Sequence, residues 1–171
     1  MRSLIFLLLI IFLSSCGSSR QMKIATKKPS MSYKIYDVNP VALDVVENAK
    51  EFDGVRYKYG GTTKKGMDCS GLITTAFEKE DIYLPRSSSE MASSGQWIDL
   101  KEVQPGDLMF FATQRNSRKV NHVALVTNAR PGYVEFIHST SSKGVMTSTL
   151  DDKYWYFAFV QARRVLNSSH P

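Results

Sequence analysis

The spacing of apolar residues changes period once along this chain, and no other feature limits its fold as strongly. Between Pro40 and about Lys79, apolar side chains recur at the three- and four-residue intervals of a helix with one buried face. Val41, Val45, Val46, Ala49 and Phe52 form the first set, opened by Pro40 and closed by Gly54, residues suited to a helix start and stop. Leu72, Ile73, Ala76 and Phe77 form the second, with Asp68 as its N-cap and an end near Lys79. A shorter third helix is expected after Pro85, from about Ser88 to Ser94. From Asp107 onward the segments 107–112, 122–127, 133–138, 145–148 and 157–163 read as short strands, several punctuated by Gly, Pro or Asn. Helices first and strands second predict an α+β fold, with N-terminal helices packed on an antiparallel sheet of five to six strands.

The chain has 171 residues, enough for one domain plus extensions, and its 43% hydrophobic and 11% aromatic content excludes disorder throughout. Twenty-two Lys and Arg against 16 Asp and Glu give a net charge of +6, dispersed along the chain, so no nucleic-acid partner is expected. Two cysteines cannot form a cysteine-only zinc site, and the three histidines lie at no metal-ligand spacing. Neither a metal nor an organic cofactor is expected.

The N-terminus reads as an address. Met1-Arg2-Ser3 precedes ten apolar residues, 4–13, a run shorter than the roughly 20 residues that span a bilayer. It fits the apolar region of a secretory signal peptide, the alternative being a buried N-terminal helix. The run ends in Leu13-Ser14-Ser15-Cys16, which resembles a bacterial lipobox, and that resemblance implies cleavage before Cys16 and lipidation of its thiol. Removal of residues 1–15 would leave 156 residues at +5, and acyl chains contributing about 0.8 kcal/mol per buried methylene would hold them to a membrane. Gly17 after the cysteine resembles lipoproteins sorted to the outer membrane, so an outer-membrane lipoprotein facing the periplasm is expected. Residues 16–39, rich in Ser, Lys and Thr, read as the lipidated cysteine and a flexible tether; 40–166 is the folded domain; 167–171 is a tail that holds His170. With Cys16 acylated, Cys69 is an exported thiol without a partner in the chain, which asks for a chemical reason.

At the first position of the second helix, Cys69 meets free backbone N–H groups and the positive end of the helix dipole, which favour the thiolate over a thiol of ordinary pKa about 8.5. A cysteine nucleophile also needs a base. Segments 123–127 and 133–137 are joined by Asn128-Ala129-Arg130-Pro131-Gly132, a five-residue hairpin connection. Pairing symmetric about Arg130 sets His122 opposite His138, Ala124 opposite Phe136 and Val126 opposite Val134, with directly paired Cβ atoms roughly 4.5–5.5 Å apart. The apolar pairs then offer a surface on which the helix carrying Cys69 could lie. Taken singly, each of these residues has an ordinary structural explanation; together they supply a nucleophile, a base and an orienting group.

The same residues lie in a recurring set of motifs. Tyr57-Lys58-Tyr59-Gly60-Gly61, Gly66-Met67-Asp68-Cys69-Ser70-Gly71-Leu72, Leu84-Pro85-Arg86, Pro105-Gly106-Asp107-Leu108-Met109-Phe110-Phe111, Asn121-His122-Val123-Ala124 and Phe136-Ile137-His138-Ser139 follow one another across nearly the whole domain. Together they resemble the NlpC/P60 cysteine peptidases. The resemblance implies a papain-like α+β fold that cleaves stem peptides of bacterial peptidoglycan, with Cys69 as nucleophile, His122 as general base and acid, and His138 as the polar third member that orients His122. It implies that Tyr57 borders the oxyanion site and that Asp68 and Ser70 line the pocket for the substrate's amino-side residue. Arg86 and Asp107 read either as loop and turn anchors or as substrate contacts. Glu90 stands where many relatives carry Gln, and Ala124 replaces a common Gly, both beside the groove. Relatives that require a pre-cut muropeptide often carry an SH3-like domain, and only 23 tether residues (17–39) precede this one, so an open groove accepting intact wall is expected. The expected partners are peptidoglycan stem peptides and, through Cys16, a membrane; the chain is expected to act as a monomer. The bond cut, D-Glu to diaminopimelate or D-Ala to diaminopimelate, stays open. So do two other functions on this scaffold, a different acyl-transfer enzyme and a non-catalytic wall-binding lipoprotein.

Overall fold

A computed structural model of the chain describes residues 39–166. The expected signal peptide, Cys16, all of the tether before residue 39 and the tail with His170 lie outside the described residues.

The helical period of the first half produces α1 (Pro40–Lys50) and α2 (Cys69–Glu78). Asn39 caps α1 by accepting from the Val41 N–H at 3.0 Å, and Ala42, Val45, Val46 and Ala49 form its buried stripe. The helix stops four residues before Gly54, because residues 51–54 form a turn in which Gly54, at φ +76°, donates to the Val145 carbonyl at 3.0 Å. Between the helices a small hairpin, β1 (Thr62–Thr63) and β2 (Gly66–Met67), leads straight into α2. The third helix, α3 (Ser88–Met91), is a single turn and ends earlier than expected.

The second half builds the sheet from β3 (Gln96–Ile98), β4 (Leu108–Phe111), β5 (His122–Arg130), β6 (Tyr133–Thr140), β7 (Gly144–Thr149) and β8 (Phe159–Arg164). Its six strands run in the order β3-β8-β4-β5-β6-β7, every pairing antiparallel. One further helix, α4 (Lys153–Ala158), was not legible in the sequence. It takes in Phe157 and Ala158, expected as strand, because Asp152 caps it by accepting from the Tyr154 N–H at 2.8 Å. Asp107 is an anchor: Arg164 grips both its carboxylate oxygens at 2.8 Å, and the Gln104 N–H donates to one of them.

Both faces of the sheet are buried, which corrects one expectation. Leu108, Phe110, Val123, Leu125 and Ile137 pack with α1 and α2, whereas Met109, Phe111, Ala124, Val126 and Phe136 pack with Trp155 and Ala158 of α4. The α2 helix therefore lies on the face opposite Ala124 and Val126. Strands buried on both sides are apolar at every position, so their sequence does not say which alternate set meets the helices.

The hairpin register is also corrected. Leu125 pairs with Ile137 and Val126 with Phe136, two residues away from the symmetric pairing, and a bulge after Val126 shifts the remaining pairs by one more. The connection shrinks to Pro131-Gly132, with Gly132 at φ +78°. A shift of two leaves every side chain on its expected face. His122 and His138 are thus diagonal neighbours on one face instead of direct partners.

Among the described residues, no helix is long and apolar enough to cross a membrane.

Candidate active site

The junction before α2 is held by one buried carboxylate. Asp68 Oδ1 accepts from the Gly71 N–H at 2.7 Å, and Oδ2 accepts from the Gly60 N–H at 2.7 Å and from Arg86 Nη2 at 2.9 Å. The Ser70 hydroxyl accepts from Arg86 Nη1 at 2.6 Å and donates to Asp68 at 3.3 Å. Burial pushes the Asp68 carboxyl up, but Arg86 and the two backbone N–H groups outweigh it and leave the group below its ordinary range. Asp68 and Ser70, each 6% exposed, thus serve as internal struts with Arg86 as the anchor that joins them. Glu90 is used locally: with Ser87 it closes the N-terminus of α3, the serine hydroxyl accepting from the Glu90 N–H and donating to its carboxylate. Ala124 is wholly buried on the α4 face of the sheet.

This junction presents Cys69, half-buried, as the first residue of α2. Burial pushes the thiol pKa above its ordinary value; the N–H groups of Val123, Ser70 and Cys69 pull it down, while the Asp68 charge pushes up again. The N–H groups at the helix start favour the thiolate as expected, but desolvation outweighs them. A thiol held neutral needs a base to ionise it during attack.

The candidate for that base stands at the first residue of β5. His122 is 8% exposed and His138 fully buried, and Nε2 of His122 lies 2.9 Å from Nδ1 of His138. The other nitrogen of His138, Nε2, lies 2.9 Å from the Ser148 hydroxyl on β7. Burial drives His122 down to about 4 and, together with its neighbour's charge, lowers His138 as well, so both rings are neutral at pH 7. One proton order makes His122 a base. Its Nε2–H donates to His138 Nδ1, His138 Nε2–H donates to Ser148, and His122 Nδ1 keeps a free lone pair. Trp155 seals the pair from the α4 side, stacking on His122 at 5.4 Å with planes 25° apart and meeting His138 edge-on at 4.6 Å.

Cys69, His122, Tyr57 and Trp155 line one cavity of about 400 Å³, with Ser139 and Thr113 on its walls. Ser139 also donates to the Met67 carbonyl at 2.8 Å, tying β6 to the strand that precedes Cys69. Cys69 comes from the helix face and the histidines from the other; they meet because Cys69 starts its helix and His122 starts its strand, where the Val123 N–H reaches the thiol. Of the residues expected to form the site, Cys69, His122 and Tyr57 share this cavity and His138 stands behind it, whereas Asp68 and Ser70 brace it from outside its lining.

Ser148 and Trp155 were not found from sequence. Replacing Ser148 with Ala removes the acceptor that fixes the His138 tautomer, and is expected to lower kcat about tenfold with little change in KM. Ser148→Thr should restore the rate; a kcat unchanged in Ser148→Ala would exclude this role.

The buried neutral imidazoles also make stability depend on pH. Their pKa values are lower in the folded than in the unfolded chain, so the unfolded state binds more protons between about 6.5 and 4. The contribution is fully present above about 6.5 and lost as the pH falls through about 4. Thermal midpoints measured from pH 8 to 4 should fall across this window, and less steeply in His138→Asn.

A model of the NlpC/P60 family matches residues 54–164 of the chain. The chain is 35% identical over 166 residues to the probable endopeptidase NlpC of Escherichia coli K12, covering 96% of this chain and 100% of that one. It is 34% identical over 126 residues to the murein DD-endopeptidase MepS/murein LD-carboxypeptidase of the same organism, covering 73% of this chain but 63% of that protein. Among solved structures, an NlpC/P60 family protein from Bacillus cereus aligns with a TM-score of 0.68 and 31% identity, over 76% of this chain and 42% of that one.

Proposed function

The chain belongs to the NlpC/P60 family, and from that membership together with its own site we propose that it is a cysteine endopeptidase that cleaves amide bonds in the stem peptides of peptidoglycan. The observation that carries this reading is the chain of contacts from His122 to His138 to Ser148, beside a cysteine at a helix N-terminus in one open cavity. His122 Nδ1 takes the Cys69 proton as the sulfur attacks the amide carbonyl. A C–S bond forms, and the oxyanion is stabilised by the Cys69 backbone N–H at the helix start, with Tyr57 at the cavity wall. Collapse breaks the C–N bond, and His122 returns the proton to the leaving amine. Water, deprotonated by the same imidazole, then attacks the acyl carbon; the C–S bond breaks, the acyl group leaves as a carboxylate, and the imidazolium returns its proton to the Cys69 sulfur. His138 and Ser148 position His122 throughout.

The proposed setting is an exported lipoprotein. Residues 1–15 would be removed as a signal peptide, Cys16 would carry the acyl chains, and residues 17–39 would tether the catalytic domain, residues 40–166, to the outer membrane. Purified sacculi digested with the full chain should release peptides whose masses name the bond, D-Glu to diaminopimelate or D-Ala to diaminopimelate. Binding to sacculi with no new amine or carboxylate formed would overturn the enzymatic reading in favour of wall binding.

A further inference from the structure

A second cleft, of about 670 Å³, opens beside the catalytic cavity, and Thr113 and Tyr154 line both. Its far end is built from the 114–118 segment and α4, which bring Arg115, Arg118 and Lys153 to its walls with no carboxylate among its lining residues. Arg118 is held in place by backbone oxygens alone: Nη2 donates to the Phe159 carbonyl at 3.1 Å and Nη1 to that of Phe157 at 3.4 Å. None of the three cations is in a salt bridge among the described residues. Phe157, 73% exposed, and Tyr154, 55% exposed, form an aromatic wall at the same cleft. A fixed guanidinium with no anion of its own, inside a cleft of one charge sign, is a receptor for a carboxylate.

The direction of the substrate follows from the chemistry. The leaving amine must lie at His122, because that ring returns its proton. The residue before His122, Asn121, is bonded through Oδ1 to the N–H and the hydroxyl of Thr113, at 2.8 and 3.1 Å, so the His122 side of the cavity leads to Thr113 and on into the second cleft. Tyr57 and the Asp68 junction lie toward Cys69. We propose that this cleft, resting on the peptidase reading, is the subsite for the fragment released as an amine, and that it selects an amine-side peptide bearing free carboxylates.

The test uses two synthetic stem peptides, identical up to the scissile bond, whose amine-side residues end in free carboxylates or in carboxamides. The parent chain should favour the carboxylate peptide about tenfold in kcat/KM, the worth of one charged hydrogen bond. Arg118→Gln should bring that ratio close to one. Because Arg118 also holds backbone carbonyls, the double variant Arg115→Gln/Lys153→Gln, whose parent side chains have no hydrogen bonds among the described residues, serves as the second probe and should lower the ratio too. Calorimetric titration of the amine-side product in its carboxylate and carboxamide forms gives the same comparison without turnover. Equal ratios in parent and both variants, or equal binding of the two products, would overturn the inference. Cleavage of neither peptide would count against the peptidase reading, while the titration would still decide the cleft.

Discussion

Replacing Cys69 by alanine, or His122 by alanine, is expected to lower hydrolysis of purified sacculi by about 10⁴-fold or more, and the double replacement to lower it no further. In the proposed mechanism the nucleophile and its base act in one proton transfer, so removing either leaves the other without a task. The burial of both groups sharpens the expectation. With the thiol pushed up and the imidazole held down to about 4, the resting pair is neutral, and attack depends on His122 at the moment of reaction. Activity should therefore persist well below pH 6.5 and fall off only as His122 becomes protonated near pH 4, if the fold survives to that point. Because His122→Ala also strips a ring from under Trp155, His122→Gln provides a variant of closer volume, checked by circular dichroism. Either single variant retaining a tenth of the parent rate would sink the mechanism.

Gly71→Ala is expected to unfold the site even though alanine is the better helix former. Propensity alone favours alanine in a helix by about 1 kcal/mol. At this position, however, the added methyl would run into the Gly61 carbonyl oxygen, with Asp68 Oδ1 at 3.0 Å and Arg86 Nη2 at 3.2 Å closing the remaining space. A backbone oxygen cannot swing away as a side chain could. Overpacking of this kind costs about 1–3 kcal/mol, and the loop it displaces leads from Tyr57 through Gly60 and Gly61 to the strut on Asp68. The expected result is a thermal midpoint lower by about 5–10 °C together with loss of hydrolysis. A midpoint equal to or above the parent's would show that the loop and helix can separate without penalty.

The two glycines and Gly71 stood out in the sequence as motif positions; only their approach in space explains them. Cys69 and His122 were legible because each sits at a place that local pattern defines, a capped helix start and the first residue of a strand; His138, inside β6, was reached through the hairpin register and the motif around it. The pairing of the histidines was reached by a register that was wrong by two residues. Direct pairing did not survive, but their place on one face did, because face depends on parity alone. The bulge after Val126 and the tight Pro131-Gly132 turn had no signature strong enough to fix the register. Trp155 escaped notice because an aromatic run such as Tyr154-Trp155-Tyr156-Phe157 reads as readily as strand as it does as one and a half turns of helix. Ser148 escaped because nothing local separates a serine that accepts from a histidine from one that faces water.

What the sequence determined by itself is the succession of α1, α2 and α3 followed by the strands β4 to β8, the N-cap at Asp68, the cysteine at the helix start and the family to which the motifs belong; the short strands β1 to β3 and α4 were not among them. Those properties depend on neighbours a few residues away, and the chain carries that information directly. Only the tertiary structure decided which face of the sheet meets α2, the turning of Asp68 and Ser70 into struts around Arg86, the neutral state of the thiol and both imidazoles, and the addition of Ser148 and Trp155 to the histidine pair. Each of these is set by burial and by contacts between residues far apart in the chain, and desolvation is a property of the folded whole that no local pattern encodes.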